Sequence, residues 1–509
     1  MNTDPAGGYE MGDFTANIAI QMKILGEFLP NTLHGFSIEP VGNAIYEGIW
    51  IEEGSYYSKV SGLRTELIDS LRHIKPGVVR WPGGCYSHLY HWASGVGARK
   101  NRPCLLNPWS QREECNRFGT DEFVQFCDKV TAKPAINVNM ETGSLQEALN
   151  WLEYCNLETK TLFAQQRVKN GHPEPFRIPY WGLGNELLAC QNSPSPESYA
   201  TEYKRFARYM KQMDPAIHLI ACGNPSSEWT PRFLEQMRND FHLLDSISVR
   251  ARFWSDAYGG GSAPKSLEEY FALFTYLPVL ENLLSGMIRY TSMISRPDKK
   301  PVELSLDSWG VQHPEASIEE GMEQPSTFRD ALVAACVLHI LYRFSPKLTL
   351  AHLACPVNAL HALIQTKKEM LLETPSYHVF DLFQTHAGNQ SVQIRIKTPR
   401  ISASGISGKC RLPLVDAFAS WNPSAQRLVL TLINLHPEDT ARVRIRIQTG
   451  REVKEISAMC LTADDPNESN TFDTPRRIEP RPTSVQETGN PVFQVLPSSS
   501  LTRIDFNLS

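Results

Sequence analysis

The sequence predicts an α/β chain, a (β/α)8 barrel of the TIM type followed by a β-sandwich of jelly-roll character. Three observations carry this. From Leu33 onward, eight short apolar runs alternate with amphipathic helical stretches, the pattern of parallel strands joined by crossover helices. After about Thr385 the helical period is replaced by two-residue alternation, strictest in Ala441-Arg-Val-Arg-Ile-Arg-Ile447. The length, 509 residues with 41% hydrophobic and 21% charged side chains, supports more than one core. The expected division is an N-terminal segment over 1–29, a barrel over 30–384 and a sandwich over 385–509.

Residues 16–26 largely alternate apolar and polar, which predicts a strand with one buried face. It precedes every helix and has no place in the barrel, so it is expected to join the sandwich. The eight barrel strands are expected at 35–39, 78–81, 135–139, 178–181, 218–222, 246–249, 302–306 and 348–354, the number this barrel requires. Leu63, Leu67, Leu71 and Ile74 share one helical face that Pro76 stops. Ser144 and Glu147 form a capping box before the helix at 148–154, and Thr327 with Asp330 has the same form before 331–344. Residues 428–433, 441–447 and 493–506 read as sandwich strands, and 463–488, rich in Pro, Asn, Thr and charge, as a long surface loop.

A net charge of −5, with both signs mixed along the chain, gives no electrostatic reason for a nucleic-acid or anionic-membrane partner. The amino terminus lacks the basic region, apolar run and small-residue site of a leader, and no segment reads as apolar for the length of a membrane span, so a cytoplasmic protein is expected. Eleven cysteines without a C-x-x-C pair suggest neither a disulfide framework nor a zinc site. His34, His88 and His91 come nearest to a metal cluster, and core or supporting roles are expected for them. With no glycine-rich phosphate loop and no metal-ligand run, no cofactor is expected, and redox and phosphoryl chemistry are disfavoured.

The stretch with the clearest chemical content is Arg177-Ile-Pro-Tyr-Trp-Gly-Leu-Gly-Asn-Glu186. A buried strand ends at Trp181, the glycines turn the chain, and Asn185 and Glu186 fall at the carboxyl end of a barrel strand. There a Glu beside an Asn amide is placed for acid or base work on a bound sugar. Taken alone, the stretch reads equally as a glycine-rich turn with a solvated Glu.

Several motifs then converge in order: Arg80-Trp-Pro-Gly-Gly-Cys85, Tyr90-His-Trp92, Asn116-Arg-Phe-Gly-Thr120, Asn170-Gly-His-Pro-Glu-Pro-Phe176, Trp181-Gly-Leu-Gly-Asn-Glu186, Thr374-Pro-Ser-Tyr-His-Val-Phe380 and Leu461-Thr-Ala-Asp-Asp465. Together they resemble glycoside hydrolase family 51, the α-L-arabinofuranosidases, from about Ile18 to Phe506. The resemblance implies a barrel with a terminal β-sandwich and a retaining mechanism with two glutamates, one protonating the leaving oxygen and one attacking the anomeric carbon. It makes Glu186 the acid/base and Asn185 the contact to the sugar 2-hydroxyl, with Glu39, Arg80 and Cys85 lining the sugar pocket.

The departures fall in that pocket. The family's D-E-W-G segment is Asp307-Ser-Trp-Gly310 here, so the resemblance puts Ser308 at the position of the nucleophilic Glu. A serine hydroxyl without a positioned base is a poor nucleophile for an acetal carbon. Strand alternation turns Asp307 away from Ser308, toward the helices. By the same comparison Arg250 and Arg252 stand in the places of a His and a Tyr, Cys355 in that of a Gln, and His88 in that of an Asp. The retained Glu39, Arg80, Asn185 and Glu186, with the incoming Arg250, Arg252, His88 and Cys355, are expected to bind a small molecule in the barrel mouth.

The expectation drawn from these changes is a repurposed enzyme, using the old sugar cleft for cyclisation, isomerisation or elimination on a small molecule such as a specialised metabolite. The alternatives are an α-L-arabinofuranosidase or related glycosidase of altered mechanism or in inactivated form, and a non-catalytic binding pseudoenzyme. A homo-oligomer is the expectation carried by the family.

Overall fold

The computed structural model describes residues 13–52, 59–185, 194–224, 228–255, 260–406, 408–485 and 490–509. Eight parallel strands close into a barrel in sequence order: Gly35–Ser37, Val78–Trp81, Lys133–Val138, Tyr180–Leu183, His218–Cys222, Ser246–Trp254, Glu303–Gln312 and Leu348–Ala354. Each overlaps an expected strand, the fourth only over Tyr180 and Trp181. The sixth and seventh run several residues further than expected, carrying their side chains up into the barrel mouth.

The alternation of side chains along these strands sorts them. In the second strand Val79 and Trp81 face the helices, where Trp81 stacks on Phe123 at 5.4 Å between ring centroids, while Val78 and Arg80 turn into the lumen. Val78, Ala135, Ile220 and Leu350, with Tyr180 against them, form an apolar lumen layer. Two residues further along the strands, nearer the carboxyl ends, the layer is polar and contains Ser37, Arg80 and Asn137.

The helices form where their faces and caps predict. The face of Leu67, Leu71 and Ile74 is buried, but the helix begins at Thr65, because Leu63 pairs in a short strand instead. Ser144 accepts the Glu147 amide at 3.2 Å. The Glu147 carboxylate does not close the box; it meets His91 Nδ1 at 3.0 Å. At Thr327 both halves form, and Asp330 joins cap and barrel by facing His313 Nε2 at 3.0 Å. Burial works against ionisation of Asp330, yet His313 beside it holds the carboxyl well below the usual range.

Nine further strands make one mixed sheet, in which Phe14–Phe28 lies between Gln390–Lys397, antiparallel, and Ala441–Gln448, parallel, and the other described strands pair in four two-stranded ribbons. The early strand thus lies inside the terminal sheet.

Three expectations need correction. Residues 463–488 are not simply a surface loop: Asn470 and Ile478 are buried, and the Phe328 and Arg329 amides that open the helix Phe328–Phe344 donate to Glu468 and Pro466 carbonyls at 2.8 Å. Leu267–Ser292 is long and apolar enough, by length and composition, to cross a membrane. It is broken at Thr275 into two helices, and its Phe271, Phe274, Leu280 and Leu284 pack in the protein core. Cys104 and Cys115, finally, form a disulfide across a short hairpin.

Candidate active site

Arg80 is the centre of the polar lumen layer. It is 2% exposed and reaches four acceptors: Nε donates to Asn137 Oδ1 at 3.1 Å, Nη1 to Ser37 Oγ at 3.2 Å, and Nη2 to Asn185 Oδ1 and, at 3.5 Å, to Asp307 Oδ2. A buried guanidinium is tolerable only when its donors are matched in this way. Gly182 makes room for the network, because a Cβ there would come 2.5 Å from Asn137 Oδ1. Asn137 Nδ2 also donates to Asn185 Oδ1 at 3.3 Å, so the Asn185 amide is oriented by two donors on its oxygen. Its Nδ2 is buried and, among the described residues, has no hydrogen-bond partner.

The structure overturns the placement of Asp307. In the pairing of the sixth and seventh strands Val249 faces Leu306 and Arg250 faces Ser308, so Asp307 is an extra residue, a β-bulge. A bulge resets which face the side chains take. Asp307 therefore points inward to Arg80 and accepts Ser305 Oγ–H at 2.8 Å. Ser308, next in the chain, is buried and lies level with Arg250, and Trp309 turns outward onto Phe380. Further along the strand the Val311 amide donates to His361 Nδ1 at 3.0 Å, and His361 Nε2 meets Ser376 Oγ at 2.8 Å. Burial pushes the His361 imidazole down to about 4, so it is neutral, with Nδ1 the acceptor and Nε2 carrying the proton.

Above the layer a cavity of about 230 Å³ opens at the carboxyl ends, lined by Glu39, Cys85, Trp109, Arg250, Arg252 and Gln312 among others. This lies below the roughly 300–1,000 Å³ of sites for drug-sized ligands and suits one small polar unit. Glu39 is the carboxylate among the described lining residues. It is held by the Gly84 amide at 3.0 Å, with Cys355 Sγ 4.0 Å from its other oxygen. Gly83, at φ +93°, passes so close that a Cβ would sit 2.3 Å from that of Glu39, which explains the Gly-Gly pair. Arg252 Nη1 donates to Gln312 Oε1 at 2.8 Å.

The expected site residues thus divide. Glu39, Cys85, Arg250 and Arg252 converge on the mouth, Arg80 and Asn185 lie in the layer beneath, and Cys355 backs Glu39. His88 does not act as a simple wall residue: its Nε2 meets the Asn185 carbonyl at 3.1 Å and its Nδ1 meets Glu141 at 3.1 Å, so it braces the corner that presents Asn185. Glu186 lies outside the described residues. His34, His88 and His91 do not converge, since each meets a separate partner, Tyr342, the Asn185 corner and Glu147. Sequence reasoning missed Asn137, Trp109 and Gln312 and dismissed Asp307. Asn137 was findable from its inward parity with Arg80; Asp307 was not, because alternation carries no sign of the bulge.

A closed parallel barrel with a polar lumen layer beneath a carboxyl-end cavity is the architecture of a barrel enzyme. Comparison with known proteins narrows the class. The family model described as alpha-L-arabinofuranosidase 1 domain matches residues 70–256, and that described as alpha-L-arabinofuranosidase C-terminal domain matches 307–500. A probable alpha-L-arabinofuranosidase C of Aspergillus fumigatus is 32% identical over 87% of this chain and 88% of its own. An intracellular exo-alpha-L-arabinofuranosidase of Bacteroides ovatus is 28% identical over 96% of this chain and 95% of its own. Among solved structures, the Thermotoga maritima alpha-L-arabinofuranosidase in its arabinose complex superposes with a TM-score of 0.86 at 31% identity, covering 96% of this chain and 99% of that one. The chain belongs to the α-L-arabinofuranosidase family, glycoside hydrolase family 51. The near full-length likeness to arabinofuranosidases overturns the expectation of a barrel repurposed for cyclisation, isomerisation or elimination on some other small molecule.

Proposed function

We propose that this chain is an α-L-arabinofuranosidase that hydrolyses terminal arabinofuranosyl groups without a carboxylate at the usual nucleophile position, which Ser308 occupies. The observation that carries the reading is the fixed polar layer of Arg80, Asn137 and Asn185 beneath a sugar-sized mouth holding Glu39. The Asn185 Nδ2, buried without a hydrogen-bond partner among the described residues, is a donor suited to a sugar hydroxyl. Glu186 protonates the leaving oxygen. Ser308 is too short to form a glycosyl-enzyme, so water attacks the anomeric carbon in its place, with Glu39 as the base, and a single displacement inverts the anomer. The incoming Arg250 and Arg252 offset the carboxylate charge and orient ring hydroxyls. A cytoplasmic location goes with the intracellular designation of the Bacteroides relative. The three-part division at residues 29 and 384, a small-molecule substrate without nucleic-acid or membrane partners, and a homo-oligomeric state complete the reading.

The test is turnover of an aryl α-L-arabinofuranoside followed by NMR of the released sugar. Slow hydrolysis giving the β-anomer first, lost in Glu186→Gln, supports the proposal. Release of the α-anomer first would mean that a covalent route survives, and absence of turnover with intact sugar binding would mean that the site is an inactivated one.

A further inference from the structure

The cysteine bridge sits at the base of the hairpin that walls the mouth. Cys104 and Cys115 are joined across a separation of 11 residues, flanking strands Leu105–Asn107 and Arg112–Glu114. These strands pair at only three positions and belong to no larger sheet. Leu105 and Leu106 are exposed, at 48% and 61%, so little apolar burial secures the stem. A two-stranded ribbon of this kind is marginal in water by itself. Its turn, however, is well built: Asn107 Oδ1 accepts the Trp109 amide at 3.0 Å and the Ser110 amide at 3.3 Å, and Asn107 O accepts the Gln111 amide at 2.8 Å. That turn places Trp109 in the mouth beside Glu39, Arg250 and Arg252, against an apolar patch that includes Val41, Ala44, Ala316 and Met322. Arg112 Nη2 ties the tip to the Glu319 carbonyl at 3.1 Å. At the other end Cys104 is exposed, and both cysteines line a cavity of about 1200 Å³, so a reductant can reach the bond.

We propose that Cys104–Cys115 is a reversible thiol–disulfide exchange site that sets the order of this hairpin and, through Trp109, the shape of the substrate mouth. The thiolate of a dithiol reductant attacks the exposed Cys104 sulfur, the S–S bond breaks, and Cys115 leaves as a thiolate that takes a proton. The reductant's second thiol then displaces Cys104, leaving two protein thiols and the oxidised reductant, a transfer of two electrons and two protons. The closed bridge restricts the chain over the hairpin; the open one lets its three pairs fray.

This rests on the proposed function only for the identity of the ligand. The test uses the full chain, oxidised and dithiothreitol-treated, with thiol state read by alkylation and mass. Amide hydrogen exchange over 105–114 is followed together with the affinity for 1,4-dideoxy-1,4-imino-L-arabinitol, a furanose-shaped probe. Exchange over the hairpin is expected to be about tenfold or more faster after reduction, with probe affinity weakened about threefold or more, and C104S/C115S should reproduce the reduced state under oxidising conditions. Equal exchange in both states, or two cysteines still alkylated after oxidation, would overturn the proposal. If the probe binds neither form, the arabinofuranoside reading fails, while the exchange comparison still decides the bridge.

Discussion

Arg80→Met removes the guanidinium that four acceptors share and leaves the Asp307 carboxylate, 5% exposed, with Ser305 Oγ as its remaining donor among the hydrogen bonds described. Removing one partner of a buried ion pair costs about 3–5 kcal/mol, because the other charge stays desolvated. Asp307→Asn alone is milder, about 1–3 kcal/mol, since Arg80 keeps three neutral acceptors. In the double variant the stranded charge is gone, so the total loss should fall short of the sum by about 1–3 kcal/mol. Urea unfolding at pH 7 followed by tryptophan fluorescence measures all four corners of the cycle. Losses that add to within about 0.5 kcal/mol would mean that the side chains do not interact. Asp307 would then face the helices, and the bulge midway along the seventh strand would be wrong.

Three further outcomes follow from the same geometry. Gly83→Ala, at φ +93° and with its Cβ driven onto that of Glu39, should cost about 1–3 kcal/mol of stability and weaken iminosugar binding, both checked by thermal shift with and without the probe. Asn185→Asp keeps the acceptor that Arg80 and Asn137 use but removes the Nδ2 donor. Probe affinity, read by calorimetry, should fall about tenfold, or about 1.4 kcal/mol, with little change in melting temperature. Burial pushes His34 and His361 down to about 4 and, with Arg80 nearby, His352 down to about 3. The unfolded chain therefore binds more protons than the folded one below about pH 6.5, and stability falls as pH drops from there toward 3. Each such histidine removes about 2 kcal/mol by pH 5, a decline that denaturant midpoints at pH 7, 6 and 5 would show and a flat profile would contradict.

The fold was legible because the barrel strands carry unbroken apolar runs of the right number and spacing, and because the alternation at 441–447 states its own buried face. Arg80, Glu39, Asn185 and the two arginines were legible because they sit in motifs fixed to strand ends. What stayed hidden depended on long-range arrangement. The bulge at Asp307 is a property of the pairing between the sixth and seventh strands, not of either sequence. Trp109 reaches the mouth because a hairpin folds back over the barrel, and the Cys104–Cys115 pairing depends on the same turn. Glu147 satisfied the pattern of a capping box, yet its carboxylate was drawn to His91, a tertiary partner that the local pattern cannot anticipate. The misjudged function has a related cause. Substitutions clustered in one pocket read as a change of substrate, whereas the likeness to arabinofuranosidases holds over nearly the whole chain.

The most direct test of the central claim compares the chain with its Ser308→Glu variant on an aryl α-L-arabinofuranoside, each with and without azide. The account predicts slow inverting hydrolysis by the chain as it stands, and faster, retaining hydrolysis once a carboxylate returns at position 308. Added azide should be captured as an arabinofuranosyl azide by the Ser308 form alone. Absence of turnover and of azide adduct in both forms, with the variant folded, would contradict an arabinofuranoside site in this barrel.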